Sequence, residues 1–155
     1  FHNGHLAFLK EILKEVDHLV IGIGSSQKSN IPDNPFTFEE RKEMIRQALD
    51  AEGIRAYTLV GIPDIPWHDR YVAHVKSIVP NFDIIYTGVN KLLTTLFEAA
   101  GYPVRTSPRI GSVEATELRR RMCSGEDWES FVPKQIAEYL KKINGIKRVK
   151  ELQQE

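Results

Sequence analysis

Cysteine is almost absent. Cys123 is the only one in the chain, so an internal disulfide framework is excluded and a cytoplasmic setting is the default expectation. An excess of one charge sign is missing too: Lys plus Arg and Asp plus Glu both number 21, a formal net charge of zero. Without a bulk electrostatic footprint the chain does not read as a partner of nucleic acid or of an anionic membrane, and any anion it binds needs a local site. No apolar run approaches the roughly 18 residues of a membrane span, and no signal peptide is expected before the first motif. Repeats, low-complexity tracts and linkers are also lacking. The 155 residues, 41% hydrophobic and 27% charged, therefore read as one domain with a real core.

What is present begins at the first residue. Phe1-His2-Asn3-Gly4-His5 stands before Leu6, Leu9, Ile12, Leu13 and Val16, which recur at helical spacing. His2 and His5 thus sit at a helix entrance, where unpaired N–H groups and the positive dipole end attract phosphate and Gly4 keeps no side chain in the way. An imidazole donates to phosphate, more strongly when protonated, and a bound polyanion holds that proton near neutrality. Two other readings stay open: His-x-x-His as a zinc pair, for which no Cys, Glu or third His stands at ligand spacing, and a histidine pair that caps the helix without chemistry.

Strands and helices alternate along the rest of the chain. The run 18–24 reads as a buried parallel strand. Thr37-Phe38-Glu39-Glu40 is a capping box opening a helix to about Ala51, with Gly53 beyond its end. Strands follow at 57–62, 83–87 and 102–106, and helices at 69–78 and 91–100. From Glu114 the chain turns helical, Pro133 opens another helix at its first position, and the polar tail from Ile146 is expected to fray. Such alternation predicts an α/β fold, a Rossmann-like, doubly wound parallel sheet with helices on both faces.

Two further groups carry charge toward the interior. Arg119, Arg120 and Arg121 are adjacent, and about 100° per residue prevents all three from facing one ligand. Arg119 borders the buried stripe of Leu118 and Met122, nearest the helix N-terminus; a solvated, salt-bridged basic face is the bland alternative. Arg41 falls on the core stripe of Met44, Ile45, Ala48 and Leu49, so it needs a partner or must snorkel to the helix end.

Taken together, His-x-Gly-His before a helix and Thr116-x-x-Arg119 near the end of an α/β chain resemble the nucleotidylyltransferase superfamily. Within it, Ile21-Gly22-Ile23-Gly24-Ser25-Ser26-Gln27-Lys28-Ser29, Asn34-Pro35-Phe36-Thr37 with Glu40-Arg41, and Thr116-Glu117-Leu118-Arg119-Arg120-Arg121-Met122 resemble the archaeal-type nicotinamide-mononucleotide (NMN) adenylyltransferases, over nearly the whole chain. The resemblance implies a transfer of AMP from ATP to NMN, giving NAD⁺ and pyrophosphate with phosphate-bound Mg²⁺ and no dedicated protein metal site. It implies His2, His5 and Arg119 as catalytic groups, Gly4, Arg41, Thr116 and Arg119 around the phosphates, and Asp64, Trp67 and Tyr71 around NMN. Tyr71 stands where the family's stacking tryptophan is usual, and Trp67 is the alternative platform.

The same comparison brings departures. Glu114-Ala115 replaces a Ser-Gly pair, Gly88-Val89-Asn90 replaces Gly-Asn-Pro and shifts an adenine-contacting asparagine, and the family's first strand, ending in Gly-Arg-Phe-Gln-Pro, is expected before Phe1. A ring of identical subunits, six in number, is implied as well. Other acceptors within the superfamily would leave the ATP motifs unchanged: flavin mononucleotide, pantetheine phosphate, or a sugar or alcohol phosphate. From a different class comes a nucleotide-binding module without catalysis. The aromatic loop from Asp64 to Tyr71 favours an acceptor with a flat ring.

Overall fold

A computed structural model describes residues 1–107 and 114–154. The first helix, α1 (Asn3–Ile12), buries Leu6 and Ile12 and leads into β1 (Leu19–Gly24). The capping box forms as read: Thr37 accepts from the Glu40 N–H while the Glu40 carboxylate accepts from the Thr37 N–H, and α2 (Phe38–Ala51) follows. Gly53, at φ +71°, adopts the left-handed conformation that stops α2 and frees the chain for the next strand. That strand, β2 (Tyr57–Ile62), lies parallel to β1 in register from Leu19 opposite Tyr57 to Gly24 opposite Ile62. Gly61 permits the close packing of this unit, since a Cβ there would meet the Phe38 ring and Ser26 at 3.0 Å.

The pattern then repeats: a 3₁₀ turn (His68–Arg70), α3 (Tyr71–Ile78), β3 (Ile85–Thr87), α4 (Lys91–Ala99) and β4 (Val104–Thr106). β3 and β4 pair in parallel, Ile85 opposite Val104. Both strands are shorter than their β-rich sequence predicts. The two ladders exchange no hydrogen bonds among the described residues. The second ladder is tied to the segment between α1 and β1: Glu15 accepts from Tyr86 Oη of β3 at 3.0 Å and pairs with Arg105 of β4. The strands are thus parallel and helix-connected, as the alternation predicts, but split into two pairs.

Helix α2 organises the interior because its two apolar faces serve different clusters. Met44 and Ala48 face a helical cluster made with α5 (Ala115–Ser124), α6 (Lys134–Lys142) and α7 (Gly145–Gln153), through Leu118, Met122, Ile136, Leu140 and Val149. Ile45 and Leu49 face Leu6 of α1 and Ile23 of β1. Leu49 is wholly buried, so truncating it to alanine costs about 2–5 kcal/mol.

Two sequence expectations need correction here. The tail does not fray: α7 is helical, Val149 is wholly buried, and Arg148 donates to both oxygens of Glu40 at 2.6 and 3.0 Å. A polar local composition hid a partner lying 108 residues earlier in the chain. Pro133 is the N-cap of α6 and not its first helical residue.

Candidate functional site

The histidine pair is built into the start of α1. His2 is the N-cap, its Nδ1 accepting from the Gly4 N–H at 3.1 Å, and His5 Nδ1 accepts from the His2 N–H at 3.1 Å. Both members of this reciprocal cap are imidazoles, their ring centroids 3.8 Å apart. Backbone N–H groups only donate, so both Nδ1 atoms are acceptors and each neutral ring carries its proton on Nε2. The Gly4 N–H is bonded to His2, the pair does cap the helix, and protonation of either Nδ1 would break a cap bond. Each ring thus keeps Nε2–H as its donor. His2 is 2% exposed, whereas His5 lines a cavity of about 400 Å³.

Arg41, Arg119, Asp33 and Asn34 line the same cavity above an apolar wall that includes Ile21 and Ile23 of β1. Of the three adjacent arginines Arg119 is the one that turns this way. It bonds Thr116 Oγ1 at 3.3 Å, one helical turn back, and stands 3.8 Å from Asp33. Arg120 is paired with Glu117 and Glu126, and Arg121 with Glu117 and the Phe131 ring, which is the salt-bridged basic face. The exposed Glu114 is the N-cap of α5.

Arg41 finds its partners in backbone carbonyls. Its guanidinium donates to Gly24 O at 2.8 Å, Ser25 O at 3.0 Å, Lys28 O at 3.1 Å and Thr37 O at 3.4 Å. Burial lowers its pKa and the Asp64 charge opposes that change. Four of the five donors of the group are thereby committed to the chain leaving β1, so Arg41 fastens this loop and presents one remaining N–H.

The other side of the loop is fastened by Asp64. Its carboxylate accepts from Ser25 Oγ at 2.9 Å and Gln27 Nε2 at 3.1 Å, and pairs with Lys28 at 3.4 Å. Burial would raise this carboxyl, yet the bonds from Ser25, Gln27 and Lys28 outweigh burial and hold it below the usual range. Ser25 adopts φ +49°, a conformation that costs a non-glycine residue energy and is held by these two clasps. The roles of Ser25, Gln27 and Lys28 escape sequence reasoning, although their place at the carboxyl end of a parallel strand is where α/β folds gather ligands.

The aromatics beyond Asp64 lie away from the cavity wall. Trp67 is 54% exposed, with the Arg70 guanidinium 5.2 Å over its ring. Tyr71 starts α3 and meets Phe97 edge-on at 6.4 Å; burial raises its hydroxyl pKa and the Asp64 charge adds to that. Asn90, in the segment where the family's adenine-contacting asparagine is shifted, is the N-cap of α4, accepting from the Leu93 N–H at 3.1 Å.

A parallel α/β chain with a histidine pair at a helix start, sharing one cavity with the arginine of a Thr-x-x-Arg turn, presents donors that can take phosphate oxygens. The chain belongs to the cytidylyltransferase-like family, which it matches over residues 1–144. Its relatives include the nicotinamide-nucleotide adenylyltransferase of Thermococcus sibiricus, 46% identical over 97% of this chain and 83% of the relative. That of Pyrococcus furiosus is 44% identical over 97% and 82%. Among solved structures, a bifunctional NMN adenylyltransferase/ADP ribose pyrophosphatase from Francisella tularensis shares the fold at a TM-score of 0.77 and 22% identity. It is covered over 48% of its length, so the chain spans about half of that protein, and 98% of this chain is matched.

Proposed function

We propose that this chain is a nicotinamide-nucleotide adenylyltransferase, joining the 5′-phosphate of NMN to the α-phosphorus of ATP to give NAD⁺ and pyrophosphate. The observation that carries this reading is the convergence of His5 and Arg119 on one cavity, in a chain 46% identical over nearly its whole length to a relative of that name. NMN brings its own anionic nucleophile. An oxygen of its phosphate forms the new P–O bond, the bond from the α-phosphorus to the bridging oxygen breaks, and pyrophosphate leaves with that electron pair. No general base is required, so the protein's work is alignment and charge stabilisation.

His5 Nε2–H is the donor assigned to the α-phosphate oxygens as charge builds there, with His2 holding the His5 ring in place. Arg119 takes the phosphate chain, and Thr116 orients its guanidinium. Arg41 contributes chiefly by fixing the loop from Gly24 to Thr37, and Gly4 by its place in the cap. Asp64 shapes the acceptor side, and Trp67 or Tyr71 stacks on the nicotinamide ring.

Among the described residues no group of three or more His, Cys, Asp or Glu side chains stands together to hold a metal ion. We read the reaction as using Mg²⁺ held through the phosphates and water, where it would supply charge neutralisation to the pyrophosphate. No helix among the described residues is long and apolar enough to cross a membrane, and we read the protein as a cytoplasmic enzyme acting without nucleic acid or membrane. A homo-oligomer, six subunits in a ring, completes the reading, and Val89 and Leu92 are large apolar side chains left exposed. Formation of NAD⁺ from NMN and ATP with Mg²⁺, followed by a coupled dehydrogenase, tests the activity. Light scattering tests the assembly.

A further inference from the structure

Among the described residues Asp33 is the one carboxylate lining the largely apolar cavity, whose other charged lining groups are Arg41 and Arg119. Its position is fixed by the backbone. Ile31 and Asn34 close a tight turn with reciprocal N–H···O bonds of 3.3 and 3.0 Å, and Asp33 lies inside that turn. The C-terminal helix holds the turn from behind, Gln153 donating to Pro32 O at 3.0 Å and Arg148 to Pro35 O at 3.3 Å. The carboxylate so placed stands 3.8 Å from Arg119, with its own side chain 89% exposed and that of Arg119 only 16% exposed. The exposed partner of this pair is the acid.

This inference rests on the reading that Arg119 takes the phosphate chain. A polyphosphate arriving at Arg119 meets a carboxylate that already shares the guanidinium and that repels anionic oxygens once they are seated. Bare polyphosphate carries the most negative charge and suffers the most. A polyphosphate already neutralised by a divalent cation suffers less. We propose that Asp33 is a specificity-determining residue that selects metal-complexed over metal-free polyphosphate, acting as the resident counter-ion of Arg119 in the empty site and as a repulsive neighbour in the filled one. An exposed pair of this kind is worth a factor of about 1.5 to 5 in an equilibrium constant, which sets the expected size.

Isothermal titration of the full chain and of Asp33→Asn and Asp33→Glu tests this, with inorganic pyrophosphate in EDTA and with ATP in excess Mg²⁺ as probes. The expected result is metal-free pyrophosphate binding about 1.5- to 5-fold tighter in Asp33→Asn, a smaller change for ATP with Mg²⁺, and near-parent behaviour in Asp33→Glu. Weaker binding of ATP with Mg²⁺ in Asp33→Asn, with pyrophosphate unmoved, would overturn the proposal and make Asp33 a metal ligand. Equal changes for both probes, or none, would also overturn it. If the parent chain binds neither probe, the phosphate site at Arg119 fails first, and that outcome is distinct from the others.

Discussion

Replacing His5 separates two jobs that one ring performs. Its Nδ1 accepts the His2 N–H at 3.1 Å, and its Nε2 is the donor we assign to the reacting phosphate. Asparagine places Oδ1 where the imidazole has Nδ1 and has nothing at the Nε2 position, so His5→Asn keeps the cap and loses the donor. Glutamine does the reverse, bringing an amide N–H close to the Nε2 position without the Nδ1 acceptor. Losing the cap bond costs about 1 kcal/mol, a fall of about 2–4 °C in Tm for a domain of this size. Losing one oriented transition-state donor lowers kcat about 10²- to 10³-fold, or about 2.7–4 kcal/mol. Steady-state pyrophosphate release with both substrates varied, beside a thermal melt, reads the two terms independently. His5→Asn should melt near the parent and lose kcat, His5→Gln should melt lower and keep more kcat, and His5→Ala should lose both. An asparagine variant with kcat within about threefold of the parent would refute the assignment of Nε2.

Arg119→Gln removes a charge-assisted contact worth about 1.5–3 kcal/mol, so the KM for ATP should rise at least tenfold while that for NMN moves little; equal rises would place Arg119 elsewhere than on the phosphate chain. Trp67→Leu should raise the KM for NMN by the 1–3 kcal/mol that one aromatic platform contributes, about 5- to 150-fold, without lowering Tm, because Trp67 is half-exposed. Tyr71→Leu breaks an edge contact with Phe97 and should lower Tm as well; equal loss for both substrates with a change in oligomer size would assign these rings to an interface. Glu40→Gln should cost about 1.5–3 kcal/mol by unpairing Arg148. The Arg148 hydrogen bonds, opposed by burial, hold the Glu40 carboxyl low, so the stability it adds is complete above its unfolded pKa of about 4.3 and fades as pH falls through the lower folded value. The variant should therefore show a flatter acid limb in a Tm-against-pH series, and an unchanged limb would contradict the pairing.

What the chain reveals on reading follows how local each signal is. The Thr37 to Glu40 cap, the stop at Gly53 and the outward turn of Arg120 and Arg121 depend on neighbours within a few residues, and they are legible. The His2 and His5 cap is equally local and stands among the open readings of the sequence, beside the phosphate site. Arg41 shows the limit: its place on the core stripe announces a buried cation, while its partners, four carbonyls of a folded loop, exist only in three dimensions. The same holds for the order of α7, which depends on Glu40 and the helical cluster, and for Asp33 beside Arg119, residues from distant segments joined by the fold.

The central claim is the pair of substrates, and an acceptor panel tests it most directly. The chain is incubated with ATP and Mg²⁺ and, in parallel, NMN, flavin mononucleotide, pantetheine phosphate or a simple sugar phosphate, and pyrophosphate release is scored beside the adenylylated product. The account predicts release with NMN, matched mole for mole by NAD⁺, and little with the others. Robust release with another acceptor and none with NMN would contradict it.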